Sequence, residues 1–201
     1  MKRTLILRSS LVVMAFALAF GGTACKSKKK VEQQVITPSS EGEIEVKLYC
    51  SGSEYFSTKD AFRANAVGES MDQNTSKRKA LNESRTQLAS SIQTTIKATT
   101  DNYVNSREFN NKEEVLERFE SLSREVVNQE LNGTRTICER LTKTAQGTYK
   151  TYIAIELSSE DMFKKVSDRL SKDERLRVDY DYEKFKQTFD KEMEKLEKSR
   201  P

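Results

Sequence analysis

The chain predicts an α+β fold: a small, mostly antiparallel sheet formed by a strand and a hairpin, with two helices between them. Helices cover one face, and more helices follow at the C-terminus. Three observations carry that expectation. Ile44-Glu45-Val46-Lys47-Leu48-Tyr49-Cys50 alternates apolar and polar, the period of a half-buried strand. Leu81, Leu88, Ile92, Ile96 and Tyr103 recur at sevens and fours, which places them on one face of a long helix. Thr134 to Thr144 and Thr148 to Leu157 are rich in β-branched and aromatic residues, and the short run Ala145-Gln146-Gly147 between them makes a hairpin. Strands and helices segregated in this way pack as two layers.

The chain begins with a different kind of segment. Met1 to Arg8 carry Lys2, Arg3 and Arg8 and no acid, and Ser9 to Ala24 are uncharged and mostly apolar. The segment ends in Gly22-Thr23-Ala24, and Cys25 follows. A charged start, a short apolar run and a small-residue cleavage site make residues 1–24 a signal peptide. A cysteine placed directly after the site is the pattern of a bacterial lipoprotein, so Cys25 is the expected lipidation site. An ordinary secretory signal would leave Cys25 a spare thiol. A membrane-spanning helix needs about 20 apolar residues, and this run is shorter. Two or three acyl chains on Cys25 would anchor the protein stably, where one chain binds only marginally.

Charge supports the same division. The whole chain carries +4, but the signal supplies three basic residues and Lys26, Lys28, Lys29 and Lys30 supply four more. From Val31 onward 28 basic residues face 31 acidic ones, a net charge of −3. A nucleic-acid-binding domain would carry its basic stripe on the folded part, so nucleic acid is not an expected partner. The four lysines can lie against anionic headgroups at about 1 kcal/mol each, or form a solvated basic tether. Residues 25–42 are polar, hold the internal Pro38 and read as a flexible linker from the lipid to the domain. Such a chain reaches at most about 3.3–3.6 Å per residue.

The expected domain covers residues 43–170, with a C-terminal helical extension over 171–201. After the strand ending at Cys50, Phe62 to Ser70 is ambiguous, either a short strand or an approach to the next helix, with Gly68 favouring a bend or a close backbone contact. Asp72 and Asn74 are both good caps for the long helix. Ala80, Ala89 and Ala98 are small enough to let it lie close on a sheet. Thr94, Thr95, Thr99 and Thr100 lower its intrinsic propensity, so packing must hold its end. A second helix follows Asn110-Asn111, with Glu113 and Glu114 placed to suit the helix dipole. Its apolar residues Val115, Phe119, Leu122 and Val126 recur at four, three and four, and Asn132-Gly133 stops it. After the hairpin, Ser158-Ser159-Glu160-Asp161 opens another helix with Met162, Val166 and Leu170 at fours. The last helix starts near Tyr182, with Phe185, Phe189, Met193 and Leu196 on one side. No 20–50-residue repeat is visible, which argues against a solenoid.

Several stretches resemble the LPP-twenty family of small bacterial envelope lipoproteins, whose domain type also occurs in a flagellar T-ring assembly protein. They are Ala66-Val67-Gly68-Glu69-Ser70, Lys77 to Ile92, Ser123 to Gln129, Leu131 to Arg135 and Thr148 to Leu157. The resemblance covers roughly residues 44–160. Its motifs speak to fold rather than activity. It implies a cell-envelope location, no enzymatic activity and no cofactor beyond the covalent lipid on Cys25. Some bacteria retain lipoproteins in the inner membrane through an Asp after the lipidated residue. Lys26 stands there, which favours the outer membrane. A basic rather than acidic run after Cys25 favours the periplasmic face over the cell surface.

Candidate chemistry is sparse. The chain has no His and no Trp. That removes the usual general base and the commonest transition-metal ligand, and with them any Ser-His-Asp or Cys-His hydrolase. Cys50 and Cys138 are candidates for a disulfide, which an extracytoplasmic compartment permits. If the strand of Cys50 pairs with the second hairpin strand, however, Cys138 lies two strands away, beyond the roughly 7 Å that a bridge allows. Two buried thiols fit the same residues. Asp179, Asp181 and Glu183 have oxygen-ligand spacing but lack the EF-hand glycine and terminal glutamate. A turn opening a helix explains them, and no metal is expected.

The sequence therefore predicts a non-catalytic, periplasm-facing outer-membrane lipoprotein that binds or assembles an envelope component. Its expected partners are the membrane through its lipid and an envelope protein or glycan; the C-terminal helix is expected to pack on its own domain, with binding to a partner or to another copy of the chain as the alternative. A surface adhesin or antigen is the alternative. An envelope hydrolase using Glu or Lys is a further one, and it would need a cleft of titratable groups with perturbed pKa values.

Overall fold

The computed structural model describes residues 46–109, 111–177 and 180–199. The expected signal peptide and linker, with Cys25, Lys26, Lys28, Lys29 and Lys30, lie outside them.

Ala61–Ser70 forms β1, which alternates Phe62, Ala64, Ala66 and Gly68 toward the interior with Arg63, Asn65, Val67 and Glu69 outward. The helix α1 (Gln73–Asn105) follows, then α2 (Lys112–Glu130), the hairpin β2 (Arg135–Lys143) and β3 (Tyr149–Ser158), α3 (Ser159–Ser171) and α4 (Tyr182–Lys198). Single 3-10 turns at Ser53–Tyr55 and Leu131–Gly133 complete the described elements. The three strands lie in the order β1-β3-β2, both pairs antiparallel. Helices on a small antiparallel sheet make this the α+β fold that the sequence predicts.

The first strand is the one correction. Residues 46–50 hold no strand, and the sheet is opened by Ala61–Ser70 instead. Alternation misleads here because Val46 and Leu48, its apolar members, are exposed. Cys50 turns the chain with φ +55, a left-handed conformation that ends extended backbone. The ambiguous segment has the better pattern for a sheet under a helix, since its inward residues are small. A Cβ on Gly68 would stand 2.1 Å from the Ser76 carbonyl oxygen and 2.5 Å from the Ala80 amide nitrogen. Bare glycine is what lets α1 lie against β1. Ser76 fastens the same junction: its hydroxyl donates to the Gly68 carbonyl at 2.9 Å and shares a 2.7 Å hydrogen bond with Thr151 of β3.

Local signals set the helix starts. Asp72 caps α1 by accepting from the Thr75 amide, Ser158 caps α3 from Asp161, and Asp181 caps α4 from Lys184. Satisfying these otherwise orphaned amides is worth about 1 kcal/mol each. In the hairpin, Gly147 adopts φ +88 and its amide donates to Thr144.

The core lies between the inner sheet face and the helices. At 1.5 Å per residue α1 is about 50 Å long, against about 34 Å for ten-residue strands, so part of α1 extends beyond the sheet. Both α2 and α4 pack on α1. Tyr103, fully buried, is the hub of an aromatic cluster with Phe119, Phe185, Phe109 and Tyr180, at ring centroid distances of 5.3–6.4 Å. Phe185, Phe189 and Met193 of α4 belong to the same core as Phe62 of β1. Burying each is worth about 1.5–3 kcal/mol, which holds α4 on its own domain.

Candidate functional site

Two places in the fold combine chemistry with access. The first is the outer sheet face, which carries a row of charged side chains. Arg63, Glu156 and Arg135 are cross-strand neighbours on β1, β3 and β2. Arg63 Nε donates to Glu156 Oε2 at 3.0 Å, and Arg135 donates to Oε1. The Arg135 hydrogen bond is the main reason the Glu156 carboxyl sits below its ordinary value; burial opposes it, and Arg63 adds to the lowering.

The segment 46–50 lies against this face. Tyr49 meets Tyr152 of β3 edge-on at 5.3 Å, and Cys50 is joined to Cys138 of β2 by a disulfide with Cα atoms 5.6 Å apart. The bridge forms because Cys50 is not in the sheet. A neighbouring strand cannot reach across β3, but a segment lying over the face can. Cys138 sits opposite Ala154 beside a register shift in β2, and the small alanine adjoins it.

The second place is a cavity of about 260 Å³ between α1 and α2. Ile96 and Val127 give it apolar walls, both buried. Lys97 and Glu120 form an ion pair between the two helices at its edge, and Arg124 also lines it. Hydrogen bonding to Glu120, then the charge of Asp101, raise the Lys97 pKa. That direction holds the amine protonated, the opposite of what a nucleophilic or basic lysine needs.

Two hydroxyls packed behind this cavity have no hydrogen-bond partner among the described residues. Thr100 Oγ1 and Ser123 Oγ are buried without a hydrogen bond, and their residues are 0% and 4% exposed. Thr100 departs from its helix. Thr86, Thr94, Thr95 and Thr99 each donate to the carbonyl four residues back, at 2.8–3.0 Å. The sequence marks this threonine run as weak helix former. Nothing in it signals that one hydroxyl is left buried and unpaired, because that depends on how α2 docks.

The remaining candidates resolve simply. Asp181 is the α4 cap and pairs with Arg107 at 3.4 Å; Asp179 lies outside the described residues. Among the described residues no group of acids and cysteines is arranged to hold a metal, and no helix is long and apolar enough to cross a membrane.

Compared with known proteins, the sequence matches no family model and no curated protein.

Proposed function

We propose that this protein is a non-catalytic lipoprotein of the outer membrane, facing the periplasm, that binds or assembles a component of the cell envelope. The Cys50–Cys138 disulfide carries the reading. Such bridges form and persist outside the reducing cytoplasm, which is where a chain lipidated at Cys25 would reside. The bridge also suits a tethered domain. Cys50 lies near the start of the described residues, in a segment that also packs Tyr49 on Tyr152. The bridge ties this N-terminal segment covalently to β2. The resemblance to the LPP-twenty family points the same way.

Replacing Cys25 with Ser tests the anchor. The variant should leave the membrane fraction, and an unlipidated protein that stays membrane-bound refutes the proposal. Protease treatment of intact cells tests the orientation. A protein protected until the outer membrane is permeabilised faces the periplasm, whereas one cleaved on intact cells is a surface adhesin or antigen.

A further inference from the structure

We propose that the free edge of β2 docks a second copy of this chain, two β2 strands pairing antiparallel so that the two sheets become one. This interface goes beyond the anchoring role and does not depend on it.

The two edges of the sheet are finished differently. An edge strand presents a row of unpaired backbone groups, and proteins ordinarily cover or blunt it. The β1 edge is covered by its own chain. The Thr58 amide and carbonyl bond Ala61, the Ser57 hydroxyl bonds both the amide and the carbonyl of Arg63, and Lys79 donates to the Glu69 carbonyl. Among the described residues, no strand pairs with the other edge of β2. The hairpin fixes which groups point there. The Thr144 amide donates to the Thr148 carbonyl at 2.8 Å, so Thr144 faces β3. Alternate residues of an antiparallel ladder face the partner strand. Thr142 and Arg140 therefore also face β3, while Lys143, Leu141 and Glu139 turn their amides and carbonyls away from it.

The side chains of those same three residues select the partner. Glu139, Leu141 and Lys143 are exposed, Leu141 to 43%. They share the α1 side of the sheet, opposite Ile153, Thr151 and Tyr149, while α1 itself packs on β1 and β3. A twofold axis through Leu141 sets Leu141 against its own copy and Glu139 of each strand opposite Lys143 of the other. Opposite charges facing across strands stabilise, and like charges destabilise. Each of the three facing pairs exchanges two backbone hydrogen bonds, about six in all. Glu139 already receives Lys77 at 2.9 Å, but a carboxylate has about four acceptor sites and can hold both amines. On the outer face Arg140 falls opposite Thr142. Charges on an edge strand usually repel a second copy, and here they reject the neighbouring registers. Centring the axis on Arg140 puts two arginines face to face. Centring it on Glu139 opposes two glutamates and sets Arg135 against Lys143. Centring it on Thr142 loses both ion pairs. One register satisfies the charges, the apolar side chain and the backbone together.

The test uses the full chain with its Cys50–Cys138 bridge formed. Leu141→Cys should give a disulfide-linked dimer on mild oxidation, because the two Cα atoms stand about 5.5 Å apart in this register, inside the bridging range. Arg140→Cys and Lys143→Cys are the controls. Each stands about 8 Å and about 14 Å from its own copy, respectively, so both should cross-link far less. On the Leu141→Cys background, Glu139→Lys turns two attractive pairs repulsive. The protein concentration needed for half cross-linking should rise by about tenfold or more. Adding Lys143→Glu should restore it, since opposite charges then face again; a residue that served only folding would not be rescued this way. The proposal is overturned if Leu141→Cys yields no dimer up to millimolar concentration, whatever other segment or partner takes the edge. It is equally overturned if either control cross-links as readily, or if the charge swap fails to recover the dimer.

Discussion

Removing the Cys50–Cys138 bridge should cost this protein a large share of its stability, and the amount follows from where the bridge lies. It joins positions 88 residues apart. Closing a loop of that length lowers the entropy of the unfolded chain enough to stabilise the fold by about 4–5 kcal/mol in the chain-entropy model. For a chain of 150–250 residues each kcal/mol moves the melting temperature by about 2–4 °C, so the loss should reach about 8–20 °C. The double variant Cys50→Ala/Cys138→Ala is the appropriate perturbation, because it leaves no unpaired thiol. Calorimetry of this variant beside the parent measures the shift, and reduction of the parent should reproduce it. The folded state contributes little to the difference, since segment 46–50 is mostly exposed and its described aromatic contact is Tyr49 on Tyr152. Hydrogen exchange should therefore show that segment opening locally while the amides of β1 and β3 fall in protection only by the global amount. A variant that melts within about 2 °C of the parent would refute the reasoning, for the bridge would then not be constraining the unfolded chain.

Three more outcomes are expected. Gly68→Ala forces a methyl into the backbone of α1, and it should destabilise by about 3 kcal/mol, the upper range for overpacking. Denaturant titration would show this, and a neutral result would mean that α1 is free to shift off β1. Tyr103→Phe removes the hydroxyl that accepts from the Asp181 amide at 2.8 Å; leaving that amide unpaired should cost about 1–2 kcal/mol, read from the same titration. Acid should weaken the fold through Glu156 and Asp173, whose carboxyls are held below their ordinary values chiefly by hydrogen bonds from Arg135 and Arg118. A lowered folded pKa favours the charged native state, so this stability is complete above the ordinary values of 4.5 and 3.8 and is lost as pH falls through the lower folded ones. In a pH series of unfolding free energies, Glu156→Gln together with Asp173→Asn should flatten the acid limb, and an unchanged limb would contradict the assignment.

Most of the fold is readable from short-range patterns. The caps at Asp72, Ser158 and Asp181, the four-residue spacing of Met162, Val166 and Leu170, and the turn through Gly147 act within a few residues. Residues 46–50 fail for a complementary reason. Their alternation is as good as that of a strand, but alternation states only that two sides differ, not that a partner strand is present. Ala61–Ser70 wins the sheet position because its small inward residues admit α1, and that advantage exists only once α1 is in place. Of the candidate sites, the cysteine pair was visible as a pair. Its geometry was not, because the obstacle lay in assuming both residues to be in one sheet.

By itself, the sequence determined the α+β class, the order of the helices and the hairpin, and the concentration of positive charge at the N-terminal end, because each follows from residues adjacent or a helical turn apart. The docked elements settle which strand opens the sheet, that Cys50 meets Cys138 across its outer face, and that the Thr100 and Ser123 hydroxyls are buried between α1 and α2. Those outcomes depend on segments far apart in the chain. The cost of a clash at Gly68 or of an unpaired hydroxyl at Thr100 exists only after α1 and α2 have docked.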